Sequence, residues 1–437
     1  MTAVVPAGEI AGGVDTAVAL DDDGLLLTGW LHGAGPGAAV RLGGAAGGGA
    51  PIELSYRFRR PDVERALGAP GTGLHGFACL AEGPGVALHT AQLRLEVVGP
   101  GGATAAVGIP EPIRDPVRGR AQVLRALELG SPSVDFLARQ VYPAIERLRG
   151  RIEPGLSVAG AYERGHVPAA AEVSVVVPVY GSLDLLTPQV ALLAGDPEFR
   201  RAELVFVLDS PELGDEILAL TAHLETLYEL PMRVVILGQN SGFAHASNVG
   251  AGHAGGEHLL FLNSDVFPDR PGWLAAMLAA RNGDGGVAAA GPRLLYEDDS
   301  LQHAGMYFER DEVTGLWQNL HFHKGMPGTL PAAGEARRVP ALTAACLLVG
   351  RADFEAIGGF DTAYALGDYE DSDLCIRLQQ SGRSCRYEPA ATLYHLERSS
   401  FTTRHAEEGG SGHVIYNRWL FTHRWDERIG RLMAEFE

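Results

Sequence analysis

The stretch VSVVVPVY, residues 173–180, carries one clearly polar side chain, Ser174, before it ends at Tyr180. A strand with one wet face alternates apolar and polar residues. A run this continuous reads as a strand buried on both faces, the kind that builds parallel sheets flanked by helices. Three similar runs follow: AELVFVLDS (202–210), MRVVILGQN (232–240) and HLLFLNSDV (258–266). Between them, stretches such as ELGDEILALTAHLETLYEL have helical length and spacing. Strand–helix alternation predicts an α/β layered domain. Such sheets bind ligands beyond the carboxyl ends of their strands, so the residues that close each run are the ones to inspect.

Working outward, the chain divides into four parts. Residues 1–112 hold short apolar runs (GLLLTGWL, AAVRL, IELSYRF, GFACL) between Gly-rich turns, which predicts an all-β sandwich. Residues 113–169 form a helical connector that ends in a linker, EPGLSVAGAYERGHVPAAA. Residues 170–400 make up the α/β domain, and 401–437 an amphipathic helical tail.

The chain has 437 residues, 46% of them hydrophobic and 20% charged, as in an ordinary globular protein. A formal net charge of −19 argues against a nucleic-acid partner, which demands a basic surface. No run approaches the roughly 20 apolar residues that span a bilayer. The N-terminus lacks the basic start and apolar core of a secretion signal, and four scattered cysteines form neither a disulfide framework nor a zinc site. The expectation is a cytoplasmic protein, with contact at the inner face of the membrane left open.

At the strand ends stand Pro178 and Tyr180, Asp209, and Asn263-Ser264-Asp265. A single Asp after a strand usually caps a turn; two at equivalent ends, with PVYG after the first strand, point to a site. GAGHAG (250–255) matches a dinucleotide-binding glycine pattern letter for letter, but it precedes a strand where the pattern must follow one. It reads as a helix-to-strand turn.

Taken in order, VSVVVPVYGSLDLL, NSGFAHASNVGAGHAGGEHLLFLNSDV, GGFDTAYALGDYEDSDLCIRLQQSG and YEPAATLYHLERSS resemble the family 2 glycosyltransferases of the GT-A fold, over roughly 173–400. Within that family the chain is similar to bacterial rhamnosyltransferase-like and O-antigen polysaccharide enzymes. The resemblance implies an inverting transferase that uses a nucleotide-diphosphate sugar donor, a glycan or lipid-linked glycan acceptor and Mg²⁺ or Mn²⁺. It implies donor contacts from Pro178, Tyr180, Asp209, Asn240, Gly242, Asn248, Asn263, Ser264 and Asp265. Asp265 matches the last acid of the family's DxD motif, whose first acid is Asn263 here, and His395 matches a position that completes the metal shell. Gly242 could equally serve helix packing, and Asn240 and Asn248 could equally hold their loop. Thr343 and Trp317 fall on the acceptor side.

ALGDYEDSDLCIRL (365–378) packs four carboxylates into six positions ahead of a helix. Capping the unpaired N–H groups of a first helical turn accounts for Asp368 and Asp373. The resemblance makes Asp371 the general base and Glu370 an acceptor-orienting group; the helix dipole would lower the pKa of Asp371, while the nearby diphosphate charge would raise it towards the useful range. Two other classes fit the same residues: another nucleotide-sugar enzyme such as a nucleotidyltransferase, and a glycan-binding scaffold with a degenerate site. Assembly into a homo-oligomer is equally open.

Overall fold

The structure, a computed structural model, describes residues 9–35, 38–44, 51–68, 71, 73–99, 102–166, 171–283, 285–397 and 411–436. The opening of the tail, 401–410, therefore lies outside the described residues. Two compact units divide the chain: Met1–Gly155 with His405–Tyr416, and Leu156–Arg404 with Asn417–Glu437.

The first unit contains two four-stranded antiparallel sheets. One runs β1 (Ala11–Ala19), β2 (Gly24–His32), β6 (Gly76–Glu82), β5 (Tyr56–Phe58); the other runs β4 (Pro51–Ile52), β3 (Ala39–Gly43), β7 (Arg94–Val98), β8 (Thr104–Gly108). Leu25, Leu27 and Phe77 from one sheet share a core with Val40, Leu42, Leu95 and Val97 from the other. That is the expected sandwich. The connector helices Pro116–Leu127 and Tyr142–Ile152 dock on it: the Tyr56 hydroxyl donates to the Leu127 carbonyl, and Gln140 Oε1 accepts from the Leu80 amide at 2.7 Å.

The expected linker is partly strand. β9 (Val158–Arg164) pairs antiparallel with β12 (Met232–Leu237) and forms the edge of the second unit's sheet. Its residues, VAGAYER, are mostly exposed, so it lacks the apolar pattern that marks the central strands. The α/β unit thus starts near Leu156, ahead of residue 170.

That unit is built on an 11-stranded mixed sheet. Its parallel centre is β13 (His258–Leu262), β10 (Val173–Val179), β11 (Ala202–Leu208) and β12, side by side in that order. Every residue of β11 and β13 is buried, as their unbroken apolar runs require. Beyond β13 the sheet continues through β20 (Cys346–Gly350), β15 (Val287–Leu295), β21 (Ser384–His395) and β14 (Val266–Pro268). β16 (Leu301–His303) and β19 (Arg337–Val339) attach to β15 and β21, and β17 (Met306–Arg310) and β18 (Trp317–His321) form a separate hairpin. The chain steps from β10 to β11 to β12 and then returns to place β13 on the other side of β10. That reversal opens a crevice at the carboxyl ends of β10 and β13, where ligands of such sheets bind. The helix Phe243–His253 packs tightly on the sheet: a Cβ at Gly250 would stand 2.4 Å from Val176 Cγ1. The glycines of 250–255 therefore serve packing and a turn, as their position predicts. No described helix is long and apolar enough to cross a membrane.

Candidate active site

Pro178 is the penultimate residue of β10, and Tyr180, just past the strand, is among the exposed large side chains. Next door, the Asp209 amide donates to the Val179 carbonyl, placing Asp209 at the matching end of β11. Its carboxylate accepts from the Ser241 amide (2.8 Å), the Ser241 hydroxyl (2.9 Å) and the Gly242 amide (2.8 Å). Asp209 thus anchors the loop that carries Asn240, a contact the sequence did not disclose. Gly242 has φ 89°, and a Cβ there would lie 3.1 Å from the Leu366 carbonyl oxygen. It permits close approach of the acidic loop, since the Phe243 amide donates to Leu366 O at 2.9 Å. Asn248 is fully engaged with the Phe360 backbone through Nδ2 (2.8 Å) and Oδ1 (2.9 Å). Of its two expected uses, holding the loop is the one these hydrogen bonds serve.

At the end of β13, the Asn263 amide donates to Ala345 O (2.9 Å), and the Val266 amide closes a turn on Asn263 O (3.1 Å). Gln189 Nε2 clamps this turn through Asn263 O and Val266 O. Asn263 and Ser264 stay partly accessible at its tip while Asp265 is buried. The register of β14 against β21 sets Val266 opposite His395, and His395 Nε2 lies 3.3 Å from Asp265 Oδ1. His395 Nδ1 meets Gln302 Oε1 at 2.7 Å. A carbonyl oxygen only accepts, so the ring proton sits on Nδ1, and in the neutral ring the Nε2 lone pair turns towards the carboxylate. A cation within reach of both would satisfy both lone pairs, and the Nδ1 bond is the usual orienting contact of a metal-bound imidazole. No group of three or more His, Cys, Asp or Glu side chains among the described residues could hold a metal. The pair alone suits a hard cation that takes its remaining ligands from phosphate and water. Gln302 was missed in the sequence because a lone Gln in a strand has no motif.

Asp371 is held across the strand-end from this pair. Its Oδ2 accepts from the Ala344 amide (3.2 Å) and its Oδ1 from the Ser372 amide (2.6 Å) and hydroxyl (3.3 Å). The Thr343 hydroxyl adds a further bond. Ala345 ties the same segment to Asn263, so Asp371, Asp265 and His395 occupy one edge of the sheet. Asp371 remains partly accessible, as an acceptor-facing base must be.

The capping explanation for the neighbouring acids fails. The residue that opens the helix Glu370–Gln380 is Tyr369, with no side-chain cap. Asp373 instead accepts from Arg377 (2.6 Å), Trp425 Nε1 (2.7 Å) and the Tyr364 hydroxyl (3.2 Å), which neutralises it within the fold. Asp368 accepts from Asn319 Nδ2 at 3.2 Å. Burial, reinforced by Asp371, pushes the Asp368 carboxyl up to about 7. Burial and then Asp371 hold Glu370 well above the usual carboxylate range, and its Oε2 is buried with no hydrogen-bond partner in the structure. Asp371 is raised as well, because burial outweighs the donors that face it. The expected lowering by the helix dipole is therefore overturned. Burial favours the neutral forms of Asp368, Glu370 and Asp371, and Arg377 pairs with Asp373, so the crowding is relieved without capping.

A stability effect follows from Asp368. A carboxyl whose folded pKa exceeds its unfolded one favours the fold while protonated. Its contribution is full below roughly pH 4 and is lost as pH rises through about 7. Asp368→Asn keeps the oxygen that accepts from Asn319 and cannot ionise. Urea unfolding should place the variant's midpoint above the wild type by a margin that is larger at pH 8 than at pH 5. Equal margins at the two pH values would contradict the assignment.

Trp317 points elsewhere than at a sugar. Its indole N–H donates to Asp426 Oδ1 (2.8 Å) and Arg310 covers the ring at 5.6 Å, so its side chain fixes the hairpin to the closing helix, Gly412–Phe436.

Residues 174–335 match the model of the glycosyl transferase family 2. The O-antigen biosynthesis protein RfbC of Myxococcus xanthus is 27% identical over 57% of this chain and 19% of its own length. The pre-mycofactocin glycosyltransferase of Mycobacterium tuberculosis is 29% identical over 56% of this chain and 47% of its own. The chain thus spans less than half the length of these relatives. A solved structure of GalNAc-T7 with UDP, GalNAc and Mn²⁺ superposes with a TM-score of 0.43 at 17% identity, covering 56% of this chain and 47% of that one.

Proposed function

We propose that this chain, whose residues 174–335 match the glycosyl transferase family 2 model and lie on a mixed α/β sheet, transfers a sugar, with inversion, from a nucleotide-diphosphate donor to an acceptor hydroxyl. The observation that supports this reading is that the Asp371 carboxylate is held by the Ala344 amide, one residue before the Ala345 carbonyl that accepts from Asn263 at the strand end carrying the Asp265–His395 pair. Asp371 removes the acceptor proton as the oxygen attacks the anomeric carbon opposite the departing diphosphate. One carboxylate suffices, unlike the paired acids of glycoside hydrolysis. Thr343, Ala344 and Ser372 fix its direction. Asp265 and His395 would hold Mg²⁺ or Mn²⁺, which supplies Lewis-acid stabilisation of the leaving diphosphate. Glu370, next to the base, orients the acceptor. Tyr180, Asn263 and Ser264, which keep exposed surface at the strand ends, flank the donor.

The acceptor is a glycan or lipid-linked glycan of bacterial surface polysaccharide synthesis, in keeping with the relative named for O-antigen biosynthesis. The setting is the cytoplasm, at the inner face of the membrane. The test is incubation of the purified protein with UDP-, dTDP- and GDP-sugars, with Mg²⁺, Mn²⁺ or EDTA. Nucleotide release should occur with one donor class and stop in EDTA. Because the base must be ionised, release should rise with pH through an inflection above the ordinary carboxylate value of about 3.9. Silence with every donor would reject the transferase reading.

A further inference from the structure

The loop that delivers Asp371 is itself an unfavourable piece of backbone. Leu366 (φ 63°), Asp368 (φ 80°) and Tyr369 (φ 73°) are all left-handed, and none is glycine. Such a run persists only where its surroundings fix it. The Phe243 amide holds the Leu366 carbonyl and Asn319 holds the Asp368 carboxyl, but one side chain binds the backbone of the run at four points. Asn417, wholly buried on the closing helix, accepts from the Ala365 amide through Oδ1 at 2.8 Å. Its Nδ2 donates to the carbonyls of Ala365 (3.0 Å), Gly367 (2.8 Å) and Asp368 (3.0 Å). Three carbonyls of a four-residue segment turn towards one amide because the left-handed residues rotate them there. Trp425, two turns further along the same helix, secures Asp373 at the other side of the acid pair. Glu370 and Asp371 lie between these two fixed points.

We propose that Asn417 is a positioning residue: it locks the left-handed loop and so sets the direction of the Asp371 carboxylate. The inference rests on the transferase reading for its effect on turnover, but its structural half does not. A GT-A sheet supplies the edge; the closing helix supplies the alignment of the base on that edge.

The experiment uses the full chain with Asn417→Ala, the isosteric Asn417→Asp, and Glu427→Ala as an exposed control on the same helix. Hydrogen–deuterium exchange is followed over 363–375 and over the central strands. In both Asn417 variants the loop should exchange about tenfold faster or more while β10–β13 stay at wild-type rates, since local opening is separable from global unfolding. With a donor identified, kcat should fall by about 10²-fold with donor KM within about twofold, the loss a misaligned reacting group produces. Glu427→Ala should match the wild type in both. Wild-type exchange in the loop of both variants, opening of the whole unit in both, or a kcat and KM that move together would overturn the proposal. A wild type silent with every donor rejects the transferase reading instead, and the exchange result then decides the loop claim alone.

Discussion

Asp371→Asn is expected to leave donor binding intact and to lower kcat by about 10²–10⁴-fold, the contribution of a well-placed general base. The substitution is nearly isosteric. Its amide oxygen can still accept from the Ala344 or Ser372 amide, so the helix start survives. What is lost is the carboxylate that the proposed mechanism uses to take the acceptor proton. Calorimetry with the nucleoside diphosphate and Mn²⁺ should return a wild-type affinity, while single-turnover transfer disappears. Neighbouring Glu370 does not replace it, because burial and Asp371 hold its carboxyl well above the usual carboxylate range and so disfavour the ionised form a base needs. Wild-type turnover in a folded Asp371→Asn protein would remove the residue from the mechanism.

Asp265→Ala is expected to abolish the metal-dependent part of nucleotide binding. Asp265 and His395 are the two side chains proposed to hold the cation, and no group of three or more candidate ligands occurs among the described residues, so one substitution removes half of the protein's proposed share of the coordination. Affinity for the nucleoside diphosphate with Mn²⁺ should drop to the value the wild type shows in EDTA, and EDTA should have no further effect on the variant. Gln302→Ala leaves both ligands present and frees the imidazole to rotate. A loss of about 10–100-fold in metal affinity is expected there, the usual effect of removing an orienting partner. Unchanged Mn²⁺ dependence in Asp265→Ala would transfer the cation, and the role of the strand-end Asp, elsewhere.

Much of the fold was legible because burial leaves a compositional trace. Four central strands are sealed on both faces, and their sequences are correspondingly unbroken. β9 left no trace because an edge strand exposes most of its side chains and needs only backbone bonds to join the sheet. The same contrast runs through the site. Asp209 and Asp265 were marked by standing at strand ends, and His395 by the family resemblance. Gln302, Asn319 and Asn417 were not, since a buried amide that serves distant backbone or side chains has no local pattern to betray it.

The ionisation of the acidic loop belongs to the same class. A carboxylate in a first helical turn reads as stabilised, and the sequence offers nothing against that. Only the packing shows that Tyr369 opens the helix without a cap, that Asp373 is spent on Arg377 and Trp425, and that burial raises Asp368, Glu370 and Asp371 together. The sequence by itself determined the strand order's raw material, the sandwich and the identity of the chemical groups, because hydrophobic periodicity is local. Tertiary structure alone decided which of those groups are charged, which are consumed as struts and which face a substrate. Those properties depend on neighbours tens of residues away, and on how little water reaches between them.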